Sequence, residues 1–153
     1  MQGYGIRRKR WLATSAMPSA TKRAVVFGGS GFIGKYVTRA LVADPTVQVQ
    51  VVCRRPQPTT EALFRQLSPQ VLPFTSVDIT DPDAVTQACQ GASYVVNLVG
   101  IMYETSPKYT FDAVQHRGAA NVAQAAKQAQ ARLVHMSAIG ANPITDIPYA
   151  KTK

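Results

Sequence analysis

The sequence lacks several features that would define other classes of protein. It has only two cysteines in 153 residues, Cys53 and Cys89, with no CxxC pair and no histidine cluster beside them. It therefore offers neither a zinc site nor a redox dithiol. No apolar run approaches the roughly eighteen residues that cross a bilayer. We predict no metal, no transmembrane segment and two cysteines that serve as small core side chains.

Acidic residues are absent from the first part of the chain. All eight acids follow residue 23, whereas six of the 17 lysines and arginines precede residue 24, four of them in Arg7–Arg10. The net charge of +9 therefore lies mostly in this leader, and no basic stripe interleaved with aromatics predicts nucleic-acid binding. A basic, hydroxylated segment without acids is typical of a mitochondrial transit peptide. We predict a disordered transit-like leader over residues 1–22, the alternative being a basic tail without a targeting role.

From residue 23 onward, short apolar runs alternate with helical patterns. Runs rich in β-branched residues predict strands, and apolar residues at spacings of three and four predict helices. The predicted strands are 24–27, 47–52, 71–77, 94–99 and 133–136. The predicted helices are 35–43, 60–67, 81–90 and 111–129. This alternation predicts an α/β fold, a doubly wound parallel sheet of the Rossmann type, in one domain over residues 23–153.

A glycine-rich turn between the first predicted strand and helix carries the strongest functional signal. Its residues are Gly28, Gly29, Ser30, Gly31, Phe32, Ile33 and Gly34. Glycines permit a turn too tight for a Cβ atom and let a pyrophosphate approach the backbone, while the helix N-terminus offers free N–H groups to the anion. In this context the motif predicts a nicotinamide-dinucleotide site. The alternative is a glycine turn without a ligand.

The ends of the following strands indicate which dinucleotide binds. An acid after the second strand would hydrogen-bond a free ribose 2′-hydroxyl, but this chain has Arg54 and Arg55 there. Two guanidiniums favour the 2′-phosphate of NADP(H), with NAD(H) left possible. Asp78 and Ile79, after the third strand, are expected to contact the adenine. Val99–Gly100, at the end of the fourth strand, would let the cofactor pass close to the backbone.

Five successive motifs resemble landmarks of the extended and atypical short-chain dehydrogenase/reductase superfamily, to which epimerase/dehydratase-like proteins belong. They are Phe27–Gly34, Asp78–Asp81, Asn97–Gly100, His135–Ala138 and Tyr149–Lys153. The match covers residues 24–153. The resemblance implies that Tyr149 exchanges a proton with a substrate oxygen, and that Lys153 activates this tyrosine and holds the nicotinamide ribose.

Two positions depart from the pattern of the superfamily. The resemblance places a substrate-steadying serine at the end of the fifth strand, where Ser137 lies near the right place but Ala138 can occupy it instead. Gln115 stands where many members have an asparagine that helps the proton relay. Both departures favour a cofactor that is bound rather than turned over.

Several segments of the sequence resemble one mitochondrial branch of the superfamily in particular. Val26–Phe32, Val96–Gly100, Phe111–Gly118 and Leu133–Ala141 resemble the dehydrogenase-like accessory subunit of respiratory complex I and relatives associated with ubiquinone biosynthesis. The resemblance implies a non-catalytic, NADP(H)-binding accessory or assembly protein that contacts inner-membrane respiratory or quinone-synthesis subunits on the matrix side.

Two alternatives to that function stay open. One is an active NADP-dependent oxidoreductase or epimerase that uses Tyr149 and Lys153. The other is an NADPH redox sensor that acts through a protein partner. Because members of the superfamily are considerably longer, we also expect the chain to be a fragment or a truncated gene model without its C-terminal part.

Overall fold

A computed structural model describes residues 21–153, which form one parallel sheet flanked by helices. The strands are β1 (Lys22–Phe27), β2 (Val47–Cys53), β3 (Thr75–Ser76), β4 (Tyr94–Asn97) and β5 (Arg132–His135). The α-helices are α1 (Phe32–Leu41), α2 (Pro58–Arg65), α3 (Pro82–Cys89), α4 (Gly118–Gln128) and α5 (Pro148–Thr152). The predicted leader lies outside the described residues, apart from Thr21 and Lys22, and Lys22 begins β1.

The strand order is β3-β2-β1-β4-β5, with β1 paired in parallel to both β2 and β4. The order therefore reverses at β1, which is the topology predicted for a doubly wound Rossmann sheet. Residues 24–27 of β1 are at most 2% exposed. Val25 and Phe27 pack into one apolar cluster and Ala24 and Val26 into another. Because successive side chains point to opposite faces, both faces of the sheet are covered at β1, whereas all four residues of β5 are exposed.

The third strand is much shorter than the predicted 71–77. Only Thr75–Ser76 forms a ladder with β2, and Val71 makes an isolated bridge to Val49. Pro73 explains the interruption, because proline has no backbone N–H to donate to the ladder. The Gln50 side chain instead donates a hydrogen bond to the Pro73 carbonyl.

The helix predicted over 111–129 is not α-helical throughout. Its first part, Asp112–Arg117, is π-helical and continues directly into α4. The wider turn brings Ala113, Val114 and Gln115 to the inside, where each is at least 93% buried. Inserted π-turns are rare and occur frequently at functional sites. Within residues 21–153, no helix has both the length and the apolar character needed to cross a membrane.

Candidate functional site

A cleft of about 380 Å³ opens at the carboxyl ends of the strands, at the point where the strand order reverses. Open α/β sheets bind their ligands at this position. The cleft gathers residues that the sequence predicted from four separate motifs. They are Gly28, Ser30, Gly31, Arg54, Asp78, Ile79, Val99 and Gly100.

The glycine turn is shaped by contacts that exclude side chains. Gly28 has φ of +71°, and a Cβ atom on it would lie 3.1 Å from the Val99 nitrogen. A Cβ on Gly34 would lie 1.9 Å from the Gly29 carbonyl oxygen, and one on Gly29 would lie 2.9 Å from the Val26 oxygen. The turn therefore needs glycine at these positions, because the first strand, the β4 exit and α1 meet backbone to backbone.

The N-terminus of α1 faces this turn without a side-chain cap. Gly31 is the N-cap residue and supplies no capping side chain, so the first N–H groups of the helix stay available to an anion. A Cβ on Gly31 would come no nearer than 3.3 Å to the Gly28 oxygen. A cradle that side chains would fill, beside an uncapped helix N-terminus, fits a dinucleotide pyrophosphate.

Two predicted residues of the turn point their side chains elsewhere. Phe32 is 82% exposed and packs edge-to-face on Tyr36 with ring centroids 5.4 Å apart. Ile33 is 42% exposed. Neither side chain is part of the cleft lining, so these residues can serve a ligand through their backbone N–H groups.

The two predicted phosphate-binding arginines are placed differently. Arg54 lines the cleft, and its guanidinium carbon lies 4.2 Å from the centroid of the Tyr109 ring. Arg55 is exposed outside the lining. Among residues 21–153, no carboxylate forms an ion pair with Arg54, so its N–H donors remain free for a phosphate.

Asp78 has partners that the sequence did not indicate. Its Oδ1 accepts from the Thr80 nitrogen at 3.1 Å and the Thr80 hydroxyl at 2.8 Å. Its Oδ2 accepts from the Tyr109 hydroxyl and from Lys108 Nζ, each at 2.9 Å. Partial burial raises the pKa of Asp78, but the hydrogen bonds from Lys108, Thr80 and Tyr109 outweigh it and hold the pKa well below its usual range. An adenine amino group would have to share this carboxylate with Tyr109 and Lys108.

Neither Lys153 nor Tyr149 lines the cleft, although Lys153 contacts Gly100, which does. The Lys153 ammonium lies 2.7 Å from where a Cβ on Gly100 would stand, and partial burial lowers its pKa. The Tyr149 ring packs edge-to-face on Phe111 with centroids 5.7 Å apart. The Ser137 hydroxyl donates to the Lys153 carbonyl at 2.8 Å, so this serine is engaged with backbone.

Gln115 connects two parts of the site. Its Oε1 accepts from the Ile101 nitrogen and its Nε2 donates to the Thr152 hydroxyl, both at 3.2 Å. The side chain thereby ties the segment after β4 to α5, one residue before Lys153. The sequence identified Gln115 only as a departure from a family pattern.

The two cysteines take different positions, and the described residues offer no metal site. Burial raises the pKa of Cys89 to about 11, as expected of a core thiol. The prediction of a core position was wrong for Cys53, which is only partly buried and lines the cleft because it ends β2 at the open edge. Histidine, cysteine and acidic side chains within residues 21–153 form no group of three that could hold a metal ion.

Comparison with known proteins identifies several relatives. An Arabidopsis thaliana protein named NADH dehydrogenase [ubiquinone] 1 alpha subcomplex subunit 9, mitochondrial, is 33% identical over 78% of this chain and 30% of its own length. A ceramide reductase from Caulobacter vibrioides is 27% identical over 84% of this chain and 38% of its own length. The chain thus spans about a third of the length of the curated relatives it matches.

A solved structure and a family model agree on the fold. A UDP-glucose 4-epimerase from Bifidobacterium longum, solved in complex with NAD+ and UDP, superposes with a TM-score of 0.68 at 17% identity, over 86% of this chain and 46% of that one. At this identity the likeness concerns the fold alone. The model of the NAD dependent epimerase/dehydratase family matches residues 24–150. On this match and on the geometry of the glycine turn, the chain belongs to the NAD dependent epimerase/dehydratase family.

Proposed function

We propose that this chain holds a nicotinamide dinucleotide, NADP(H) in preference to NAD(H), as a non-catalytic accessory or assembly protein of mitochondrial respiratory complex I. The observation that carries the proposal is the glycine cradle facing the uncapped N-terminus of α1. The name of the Arabidopsis thaliana relative supports the partner and the compartment. On this proposal the protein acts at the matrix side of the inner membrane.

On this proposal, different described residues bind different parts of the cofactor. The backbone N–H groups of Ser30, Phe32, Ile33 and Gly34 receive the pyrophosphate, because they lie at the positive end of the α1 dipole, whereas the Gly31 N–H donates to the Gly28 oxygen. Arg54 receives the 2′-phosphate, since it lines the cleft and no described carboxylate pairs with it. Val99 and Ile101 supply apolar contacts along the cleft, and Lys153 lies beside Gly100 without lining it. A bound nicotinamide can carry a hydride.

Two features favour holding the cofactor over turning it over. The Tyr149 ring packs against Phe111 and is not part of the cleft lining. Gln115 occupies the position expected for a relay asparagine and is committed to Ile101 and Thr152.

An active NADP-dependent oxidoreductase or epimerase is the second candidate. It is favoured by Tyr149 and Lys153, four residues apart around α5, and by the name of the ceramide reductase relative. In this case Tyr149 would move the substrate proton while Lys153 holds the ribose. Substrate-dependent oxidation of NADPH across a panel of carbonyl compounds, lost in Tyr149→Phe, would establish this second function.

Complementation in cells tests the proposal. The gene for this chain is deleted and replaced by wild type, Gly31→Asp or Tyr149→Phe, and assembled complex I is measured on native gels. We expect Gly31→Asp to lower the amount of complex, because its carboxylate opposes the pyrophosphate, and Tyr149→Phe to leave it unchanged. Normal assembly in Gly31→Asp would overturn the proposal.

A further inference from the structure

Tyr109 contacts two charged side chains of the cleft, Arg54 after β2 and Asp78 after β3. Tyr109 lies in the loop between β4 and the π-helical segment, and its backbone is fixed by a hydrogen bond from its nitrogen to the Ser106 oxygen at 2.9 Å. Its ring faces the Arg54 guanidinium at 4.2 Å, and its hydroxyl donates to Asp78 at 2.9 Å. Both Tyr109 and Arg54 line the cleft.

We propose that Tyr109 is a positioning residue for cofactor specificity, which holds the Arg54 guanidinium where the ribose 2′-phosphate of NADP(H) would lie. The inference rests on the proposed cofactor site and deepens it. It assigns the selection between phosphorylated and unphosphorylated dinucleotide to the Tyr109–Arg54 pair, rather than to arginine alone.

Stacking is well suited to this task. A guanidinium that lies on an aromatic face uses its π-surface for the contact, so the N–H donors in its plane stay free for two parallel bonds to a phosphate. An ion pair with Asp78 would consume those same donors. A long, exposed side chain that is already held in place also loses less conformational entropy when the ligand binds.

The neighbours of Tyr109 keep this arrangement in place. Asp78 is itself fixed by two hydrogen bonds from Thr80, so the tyrosine hydroxyl is anchored to a carboxylate that does not move freely. Lys108 lies 2.9 Å from the same carboxylate and 5.3 Å from the tyrosine ring. The Lys108 charge offsets that of Asp78. The three charged side chains together, Lys108, Asp78 and Arg54, therefore present a net positive charge to an incoming phosphate.

Two probes that differ by one phosphate test the inference. Calorimetry measures the Kd of 2′,5′-ADP and of 5′-AMP, which lacks only the 2′-phosphate, for the wild-type chain, Tyr109→Phe and Tyr109→Leu. We expect wild type to prefer 2′,5′-ADP, and Tyr109→Leu to lower that preference by about threefold to tenfold through loss of the stack. Tyr109→Phe keeps the ring, so it should retain most of the preference. The affinity for 5′-AMP should change little in either variant.

The possible outcomes separate the inference from the proposed function. If wild type binds neither probe, the proposed cofactor site is wrong. If it binds both equally, the NADP(H) preference is wrong, and the role of Tyr109 with it. If Tyr109→Leu keeps the wild-type ratio, or weakens both probes by the same factor, the cofactor site stands and the positioning role of Tyr109 is overturned.

Discussion

The ammonium nitrogen of Lys153 lies 2.7 Å from the point that a Cβ atom on Gly100 would occupy. The contact joins the end of α5 to the exit of β4, at the wall of the cleft. Because Gly100 has no side chain, the lysine can rest against this wall. Glycine at this position therefore determines where the Lys153 charge is placed.

Replacing Gly100 by alanine should separate binding from stability. The new methyl group displaces only the flexible end of Lys153, so the free energy of unfolding should stay within about 0.5 kcal/mol of wild type. Affinity for NADPH should fall by about tenfold, as for the loss of one hydrogen bond to a charged group. Lys153→Met should reproduce this loss and Lys151→Met, two residues away on an exposed side chain, should not. Wild-type affinity in Gly100→Ala would remove Lys153 from the cofactor site.

Two glycines of the turn should respond very differently to alanine. A Cβ on Gly34 would stand 1.9 Å from a backbone oxygen, whereas one on Gly31 comes no nearer than 3.3 Å. The backbone at Gly29 cannot move away as a flexible side chain could, so Gly34→Ala should lower the free energy of unfolding by more than about 3 kcal/mol. Gly31→Ala meets no such clash and should lower it by less than about 1 kcal/mol. Urea unfolding followed by circular dichroism measures both. Equal losses would mean that the close packing of α1 on the turn is not essential.

The buried amide of Gln115 should contribute measurably to the free energy of unfolding. In Gln115→Met the side chain keeps its length, but the Ile101 nitrogen and the Thr152 hydroxyl each lose a partner. Losing these two partly buried hydrogen bonds should cost about 1–3 kcal/mol in the free energy of unfolding. Gln128→Met, at the C-terminal end of α4 and exposed, is the matched control. A loss no larger than that of the control would show that the bridge is replaced by water.

His135 should make stability depend on pH. Its Nδ1 accepts a hydrogen bond from Asn97 Nδ2 at 3.1 Å, since the Asn97 oxygen already accepts from Val99. Burial, and then the Lys153 charge, lower the pKa of His135 below 6.5. The unfolded chain therefore binds more protons than the folded one below pH 6.5, and the free energy of unfolding falls as the pH drops through the folded pKa. His135→Gln should flatten this slope in denaturant titrations; an identical slope would place the dependence elsewhere.

The sequence was most informative where one local pattern determines the structure. The strand, glycine turn and helix found at residues 22–41 were predicted over 24–43, because apolar runs and glycines have strong backbone consequences. The pattern failed at Pro73, where a single missing N–H interrupts the third strand. It also failed over Asp112–Arg117, because apolar spacing does not distinguish a π-helical turn from an α-helical one.

The partners of Asp78 could not be predicted from local pattern. Lys108 and Tyr109 are 30 and 31 residues away from it in the sequence and lie in a loop without periodicity. Only the fold of the β4 exit brings them to the end of β3. The same holds for the stack between Tyr109 and Arg54, since a strand end and a distant loop carry no shared signal.

Calorimetric titration of NADPH into wild type, Gly31→Asn and Gly31→Asp tests the central claim most directly, with circular dichroism confirming that each variant is folded. The two variants have the same shape and differ only in charge at the N-terminus of α1. If the pyrophosphate lies on the glycine turn, wild type binds and Gly31→Asp binds far more weakly than Gly31→Asn, because a carboxylate beside a phosphate costs several kcal/mol. Equal affinity of the Asp and Asn variants would contradict the claim.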